Sequence, residues 1–355
     1  MSLVDQKRPA RPTVAVLFGG RSTEHEVSCL SAQEVLAVID SSKFDVRPIG
    51  ITRGGDWVEE TGVWSDGETP TVRAGNTKVA WESVCRADVV FPLLHGPWGE
   101  DGTIQGLLEM AGVRFVGSGV LASALSMDKH HSKLLFSGLN LPQVRHITVM
   151  PGQWKSEPEI IESKVAELGF PVFVKPSRAG SSVGVHRVDK LAKLSAAVTG
   201  ASFNDPKVII EAGVVNGREF ECGVIQTMDG ETIASVVGEI VIAPNSERGF
   251  YDLDSKYVDE ANADIVVPAD ISMELSEQIR GYARQVFDSI GCEGLARVDF
   301  FLDDEAGLVV NEINTMPGFT PFSMFPKLWA STGISPQELV SELIELALAR
   351  TAGLR

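Results

Sequence analysis

The stretch LARVDFFLDDEAGLVVNEINTMPGFT, residues 295–320, restricts the fold more than any other part of the chain. Two apolar runs flank an acidic turn, Asp303 to Gly307, which is the pattern of a β-hairpin. With the turn centred near Asp304–Ala306, Asp299 lies opposite Glu312 and Arg297 opposite Asn314. Side chains alternate faces along a strand and opposed residues share a face. One face then collects Arg297, Asp299, Glu312 and Asn314, and the other Val298, Phe300, Leu302, Val309 and Ile313 as a core face. Two carboxylates and an amide oxygen on one surface repel unless something positive lies between them. A hard cation such as Mg2+ takes oxygen ligands and keeps room for phosphate oxygens. Taken alone, the stretch fits a solvated polar face on an ordinary hairpin equally well.

Length matters next, because 355 residues imply two or three domains. No apolar run approaches the roughly 18–20 residues of a membrane span, and the polar, Pro-rich start MSLVDQKRPARP does not read as a signal peptide. Cys29, Cys85, Cys222 and Cys292 are scattered without a CxxC pair, so reduced thiols and a cytoplasmic location are expected. A net charge of -17 argues against nucleic-acid binding. An anionic ligand must therefore be held by local lysines, arginines and glycine-rich amides.

Along the chain, TVAVLF (13–18) reads as a buried parallel strand, followed by GGRSTEHEVS and a helix through SAQEVLAVID. This strand–glycine turn–helix corner holds anions or substrates, and Glu24, His25 and Glu26 are its chemical candidates. Strands at 44–51 and 87–96, the latter ending in His95, alternate with helices up to residue 120, as in a parallel, doubly wound sheet. GSGVLA (117–122) mimics a dinucleotide fingerprint but lacks the following strand and acidic residue. Residues 123–214 read as a smaller α+β unit in which Lys129 opens a helix and Lys175 ends a strand. From residue 216 long alternating strands form an antiparallel hairpin turning at Met228–Gly230. The polar stretch 243–263 reads as a functional lid or a disordered loop. Helices at 271–291 and from Ser335 complete the chain.

Further constellations carry chemistry. VKPSRAGSSVG (174–184) is a Gly/Ser loop between two strands, hence not a P-loop, yet its amides, hydroxyls and lysine suit phosphate oxygens. FYDLDSKY (250–257) places Lys256 and Tyr257 where they can close over a substrate, or else lie on a solvated loop. In NTMPGFTPFSMF (314–325), Gly318 offers a backbone N–H to a developing oxyanion and Ser323 a hydroxyl to a carboxylate.

Five strings together resemble the D-alanine–D-alanine ligases of the ATP-grasp superfamily: GGRSTEHEVS (19–28), LLHGPWGEDGTIQGLLEMAGVRFVGSGVLASALSMDK (93–129), VKPSRAGSSVGV (174–185), FYDLDSKY (250–257) and RVDFFLDDEAGLVVNEINTMPGFTPFSMFP (297–326). The resemblance implies an α/β (α+β overall) ATP-grasp fold in three parts: a Rossmann-like, doubly wound parallel-sheet domain at 1–122, a small central α+β domain at 123–214, and a C-terminal antiparallel-sheet domain at 215–355 with its lid at 243–263. It implies ligation of two D-alanine molecules through an acylphosphate, as a step of peptidoglycan synthesis in a cytoplasmic homodimer, with ATP as co-substrate and two Mg2+ ions, Mn2+ being the alternative. By this resemblance Glu24 holds the ammonium of the first D-alanine. Lys129, Lys175 and the loop Gly180–Ser181–Ser182 contact ATP phosphates, and Lys256 meets the γ-phosphate. Glu211 and the backbone to Val214 edge the adenine, with Glu219 near the ribose. Ser181 links Glu24 to Tyr257, and Asp299, Glu312 and Asn314 bind the metal ions. Arg297 and the Gly318 amide meet the oxyanion, Ser323 receives the second carboxylate, and His95 lies nearby. One departure is Ala212, where the family often has a basic residue. The competing readings are an ATP-grasp ligase for another amino acid, an ATP-binding protein without activity, and a dinucleotide oxidoreductase.

Overall fold

The computed structural model describes residues 11–65, 68–214, 217–242, 263–304 and 306–351. Three sheets organise them. The first has the order β3-β2-β1-β4, built from β1 (Thr13–Gly19), β2 (Asp45–Ile51), β3 (Trp57–Glu59) and β4 (Val89–Pro92). β1 pairs in parallel with β2 and β4, and β3 closes the edge antiparallel. The run VAVLF is apolar throughout because both faces are covered. Val14, Val16 and Phe18 pack among Cys29, Ala32 and Val35 of α1 (His25–Val38) and Leu339, Leu343 and Ile344 of the last helix, while Ala15 and Leu17 face Ile104 and Leu108 of α2 (Thr103–Met110). The C-terminal end of the chain thus completes the core of the first sheet.

Helices α3 (Val120–Met127) and α4 (Lys129–Gly138) lead to the second sheet. Asp128 caps α4 by accepting from the His130 amide. This sheet has the order β5-β8-β6-β7, from β5 (His146–Val149), β6 (Val172–Pro176), β7 (His186–Val188) and β8 (Val208–Ala212), all antiparallel, with α5 (Pro158–Leu168) and α6 (Leu194–Ser202) behind it.

The third sheet, β11-β10-β9-β12-β13, comprises β9 (Arg218–Gln226), β10 (Thr232–Ile242), β11 (Ala263–Val266), β12 (Leu295–Asp303) and β13 (Gly307–Asn314). One face packs on α7 (Met273–Ile290) through Ile279, Ala283, Val286 and Phe287. A serine at its start and Gly291 in the left-handed region at its end set the bounds of α7. Two helices follow, α8 (Met324–Thr332) and α9 (Pro336–Ala349), the latter opened by a capping box between Ser335 and Glu338.

The hairpin register is the expected one: Arg297 pairs with Asn314 and Asp299 with Glu312. One assignment needs correction. The ladder shifts between Asp299 and Phe300, so that Phe300 pairs with Val310 and Phe301 with Val309. Asn311 is the extra residue of a β-bulge, which inverts the facing of everything beyond it. Val309 therefore leaves the face shared by Val298, Phe300 and Ile313, and Val310 takes its place in that core.

Candidate active site

Two cavities meet between the second and third sheets. The larger, about 470 Å³, is lined by Lys129, Lys175, Gly180, Ser181, Ser182, Glu211, Val214, Glu219 and Glu312 from the expected set. Phe173, Phe301, Val144 and Ile240 supply apolar walls that the residue-by-residue reading had not named. The signal existed, since Phe173 lies two residues before Lys175 and Phe301 two after Asp299, hence on the same strand faces. The smaller cavity is lined by Glu24, His95, Glu100, Arg297, Asn314 and Gly318. Lys129, Ala179, Gly180, Ser181 and Glu312 border both.

The corner after β1 separates its three candidates. Glu24, just before α1, is buried and accepts a hydrogen bond from Ser181 Oγ across the cavity. A Cβ at Gly96 would come within 2.1 Å of Glu24 Oε2, so only glycine, here at φ +73°, leaves the carboxylate its space. His25 is structural: its Nδ1 bonds the Gly20 carbonyl at 2.6 Å, and the Val72 amide donates to its Nε2 at 3.1 Å. Glu26 pairs with Arg53 at the surface.

Cations of the chain neutralise the acidic face of the hairpin. Arg297 donates to both oxygens of Asp299, at 2.7 and 2.8 Å, and its Nε lies 2.9 Å from Glu221. Lys129 Nζ bridges Glu312, at 3.1 Å, and the Ala179 carbonyl, at 2.8 Å. Asn314 Oδ1 accepts from the Met316 amide. Among the described residues no three His, Cys, Asp or Glu side chains form a metal cluster. The hairpin offers two carboxylates and one amide oxygen, an all-oxygen set suited to Mg2+ only if phosphate oxygens and water complete the shell.

Glu211 lies 2.7 Å from Lys133 Nζ and 2.5 Å from Lys175 Nζ. Burial opposes its charge, but the two ammonium groups outweigh burial and hold its carboxyl well below the usual range. Lys175 is likewise disfavoured by burial, and Glu211 keeps its pKa above the ordinary value. Lys133, 1% exposed, is a cation that sequence reasoning passed over. It lies one helical turn beyond Lys129 on α4, and that i, i+4 spacing was its signal.

Glu100 was also missed. It is buried in the small cavity and accepts from the Gly96 amide. Burial, reinforced by the charge of Glu24, raises its pKa well above the usual carboxylate value. Burial lowers the His95 pKa to about 4. In the Gly/Ser loop, Ser181 and Ser182 take φ of +48° and +59°, a conformation side chains adopt only where the surroundings enforce it. Ser323 stands just outside the cavity lining: its Oγ accepts from the Thr320 amide at 3.0 Å, and a Cβ on Gly318 would touch it at 2.6 Å. Lys256, Tyr257 and the expected lid, all but its final residue, lie outside the described residues.

Comparison with known proteins extends over nearly the whole chain. Residues 13–118 match the family model described as D-ala D-ala ligase N-terminus, and residues 135–345 the one described as D-ala D-ala ligase C-terminus. A D-alanine–D-alanine ligase of an Arthrobacter species is 48% identical, covering 98% of this chain and 96% of that protein. One from Mycolicibacterium vanbaalenii is also 48% identical, covering 98% and 100%. Among solved structures, the VanG D-Ala:D-Ser ligase from Enterococcus faecalis superimposes with a TM-score of 0.79 at 36% identity, covering 95% of this chain and 100% of that one. The D-alanine–D-alanine ligase from Coxiella burnetii gives 0.78 at 31%, covering 96% of each. The expected ATP-grasp architecture is the fold of these structures.

Proposed function

This chain belongs to the D-alanine–D-alanine ligase family, and from that premise we propose that it joins two D-alanine molecules at the expense of ATP, through an acylphosphate, to supply a peptidoglycan precursor. The observation that carries the proposal is the shared wall: a nucleotide-sized cavity and a small cavity lined by carboxylates and an arginine touch at Lys129, Glu312 and the loop 179–181. A carboxylate does not acylate an amine at neutral pH, because oxide leaves poorly. Phosphoryl transfer across that wall makes a leaving group, and it needs alignment and charge neutralisation rather than covalent help.

In this reading Glu24 takes the ammonium of the first D-alanine, and the Ser181 hydroxyl holds Glu24 in place. Lys129 and Lys175 and the amides of the 180–182 loop receive phosphate oxygens, while Phe173, Val144 and Ile240 flank the base and Glu219 the ribose. The Glu211 side chain acts by fixing Lys175 and Lys133, which leaves the backbone toward Val214 as the adenine edge. Asp299, Glu312 and Asn314 would hold Mg2+, which when bound would supply positive charge to offset that of the triphosphate. Arg297 and the Gly318 amide receive the tetrahedral oxyanion, and Ser323, at the start of α8, receives the second carboxylate with His95 beside it. The roles expected of Lys256 and Tyr257 fall outside the described residues. ATP as substrate and four free cysteines favour a cytoplasmic setting.

The test is phosphate release with ATP, Mg2+ and D-alanine, followed by mass detection of the product. D-Alanine-dependent release with a D-alanyl-D-alanine mass is the expected result. Release without a dipeptide, or only with L-amino acids, overturns the proposal. D-Serine offered in competition reads the second subsite.

The same reading includes a homodimer, and α2 and α3 are its face. Leu107, Met110, Val120 and Leu121 are exposed on these two helices, which touch where Gly106 meets Val120. Their sixteen residues contain one charged side chain, Glu109. In a chain carrying -17, copies repel across charged surfaces and meet most cheaply across such a face. Wild type is expected to sediment as a dimer and Met110→Lys/Leu121→Lys as a monomer; an unchanged dimer in the double variant rules this face out.

A further inference from the structure

The inward face of α1 carries a line of polar side chains. Glu24 precedes the helix, and Ser28 and Ser31 follow four and seven residues later, a spacing that stacks them on one side. Glu24 lines the small cavity, Ser28 reaches the strands behind it, and Ser31 reaches two groups at its edge. Ser28 Oγ accepts from the Gly19 amide at 2.8 Å and donates to the Leu93 carbonyl at 2.5 Å, tying α1 to the ends of β1 and β4. Ser31 Oγ accepts from the Phe319 amide at 3.1 Å and lies 2.9 Å from His95 Nε2.

Ser31 is fully buried, with 0% exposure. A hydroxyl has one hydrogen to donate and two lone pairs. Phe319 N–H uses a lone pair, which leaves the hydrogen for an imidazole nitrogen. His95 is kept neutral by its burial, so a ring nitrogen is available to accept it. Phe319 directly follows Gly318, and both Gly318 and His95 line the small cavity. We infer that Ser31 is a positioning residue for the second amino-acid subsite, locking the His95 ring and the peptide after Gly318 to the same helix whose start holds Glu24.

The loop that carries Phe319 has a second anchor besides this hydroxyl. The Phe319 ring anchors its own loop by edge contacts with Phe91 and Phe325, at 6.1 and 5.7 Å between centroids. Loss of the hydroxyl frees the amide and the imidazole and leaves the apolar anchor in place. Neither the ATP cavity nor Glu24 touches Ser31, so the effect should be confined to one substrate.

The inference rests on the dipeptide ligase reading, and wild type run in parallel separates the two. If wild type releases no phosphate in response to D-alanine, that reading fails. If wild type is active, the variants judge Ser31 alone. Ser31→Ala and Ser31→Cys are compared with wild type by steady-state kinetics, resolving the two D-alanine binding steps, with thermal melts alongside. Cysteine fills the space but hydrogen-bonds weakly. The expected result is a rise of about tenfold in KM for the second D-alanine and a fall in kcat in both variants, with KM for ATP and the first D-alanine unchanged. Wild-type kinetics in Ser31→Cys would show a space-filling role and overturn the inference, as would equal losses at both D-alanine sites.

Discussion

Replacing Arg297 with alanine is expected to lower turnover by about 10²- to 10³-fold, because one preorganised donor to a developing oxyanion is worth that much. The structure adds a second consequence. Asp299 loses both of its donors from Arg297, and Glu221 loses the cation 2.9 Å away. Both carboxylates are buried, at 2% and 3% exposure. Removing one partner from a buried ion pair costs about 3–5 kcal/mol, so the variant should also melt earlier. Arg297→Lys separates the two effects. It keeps a point charge beside the carboxylates and should recover most of the stability, but it loses the planar fork and with it the oxyanion contact. Rates and melting curves of both variants decide the matter: wild-type turnover in Arg297→Lys would remove Arg297 from the chemistry, and an unchanged melt in Arg297→Ala would remove it from the charge balance.

Glu211→Gln is expected to be the most destabilising single change of near-constant volume. It leaves Lys133 and Lys175 facing an amide, one ammonium 1% exposed, and should cost about 3–5 kcal/mol along with weaker ATP binding. The pH dependence follows from the depressed folded pKa of Glu211. Its stabilisation is fully present above the unfolded carboxyl value, about 4.3, and is lost as pH falls through the lower folded value. Denaturant melts from pH 7 to pH 3 should therefore show a stability difference between wild type and variant that narrows on acidification. A difference constant across that range would mean that Glu211 does not carry this charge balance.

The hairpin was legible because its information is local. A turn between two alternating runs sets register, and register fixes which residues face one another, so the Arg297–Asn314 and Asp299–Glu312 pairs could be written down in advance. The bulge at Asn311 was not legible: no glycine or proline marks it, and it moved Val309 off the core face. The cap at Ser335 was equally local. Glu24, His25 and Glu26 looked alike in sequence, yet one entered the cavity, one braced a loop and one paired at the surface. Consecutive helical residues point in different directions, and only the packing around a helix says what each direction meets.

The amino-acid order therefore determined the strands and helices, the register of the acidic hairpin and the short motifs that tie this chain to its family, since each depends on neighbours a few residues away. Tertiary packing alone decided which distant charge answers which: Arg297 paired with Glu221, Lys129 with Glu312, Lys133 and Lys175 with Glu211, and Ser31 joined to His95 and Phe319. Those pairings follow from burial, which makes an unpaired charge or polar group too costly to leave, and burial depends on segments that meet only when the whole chain has closed.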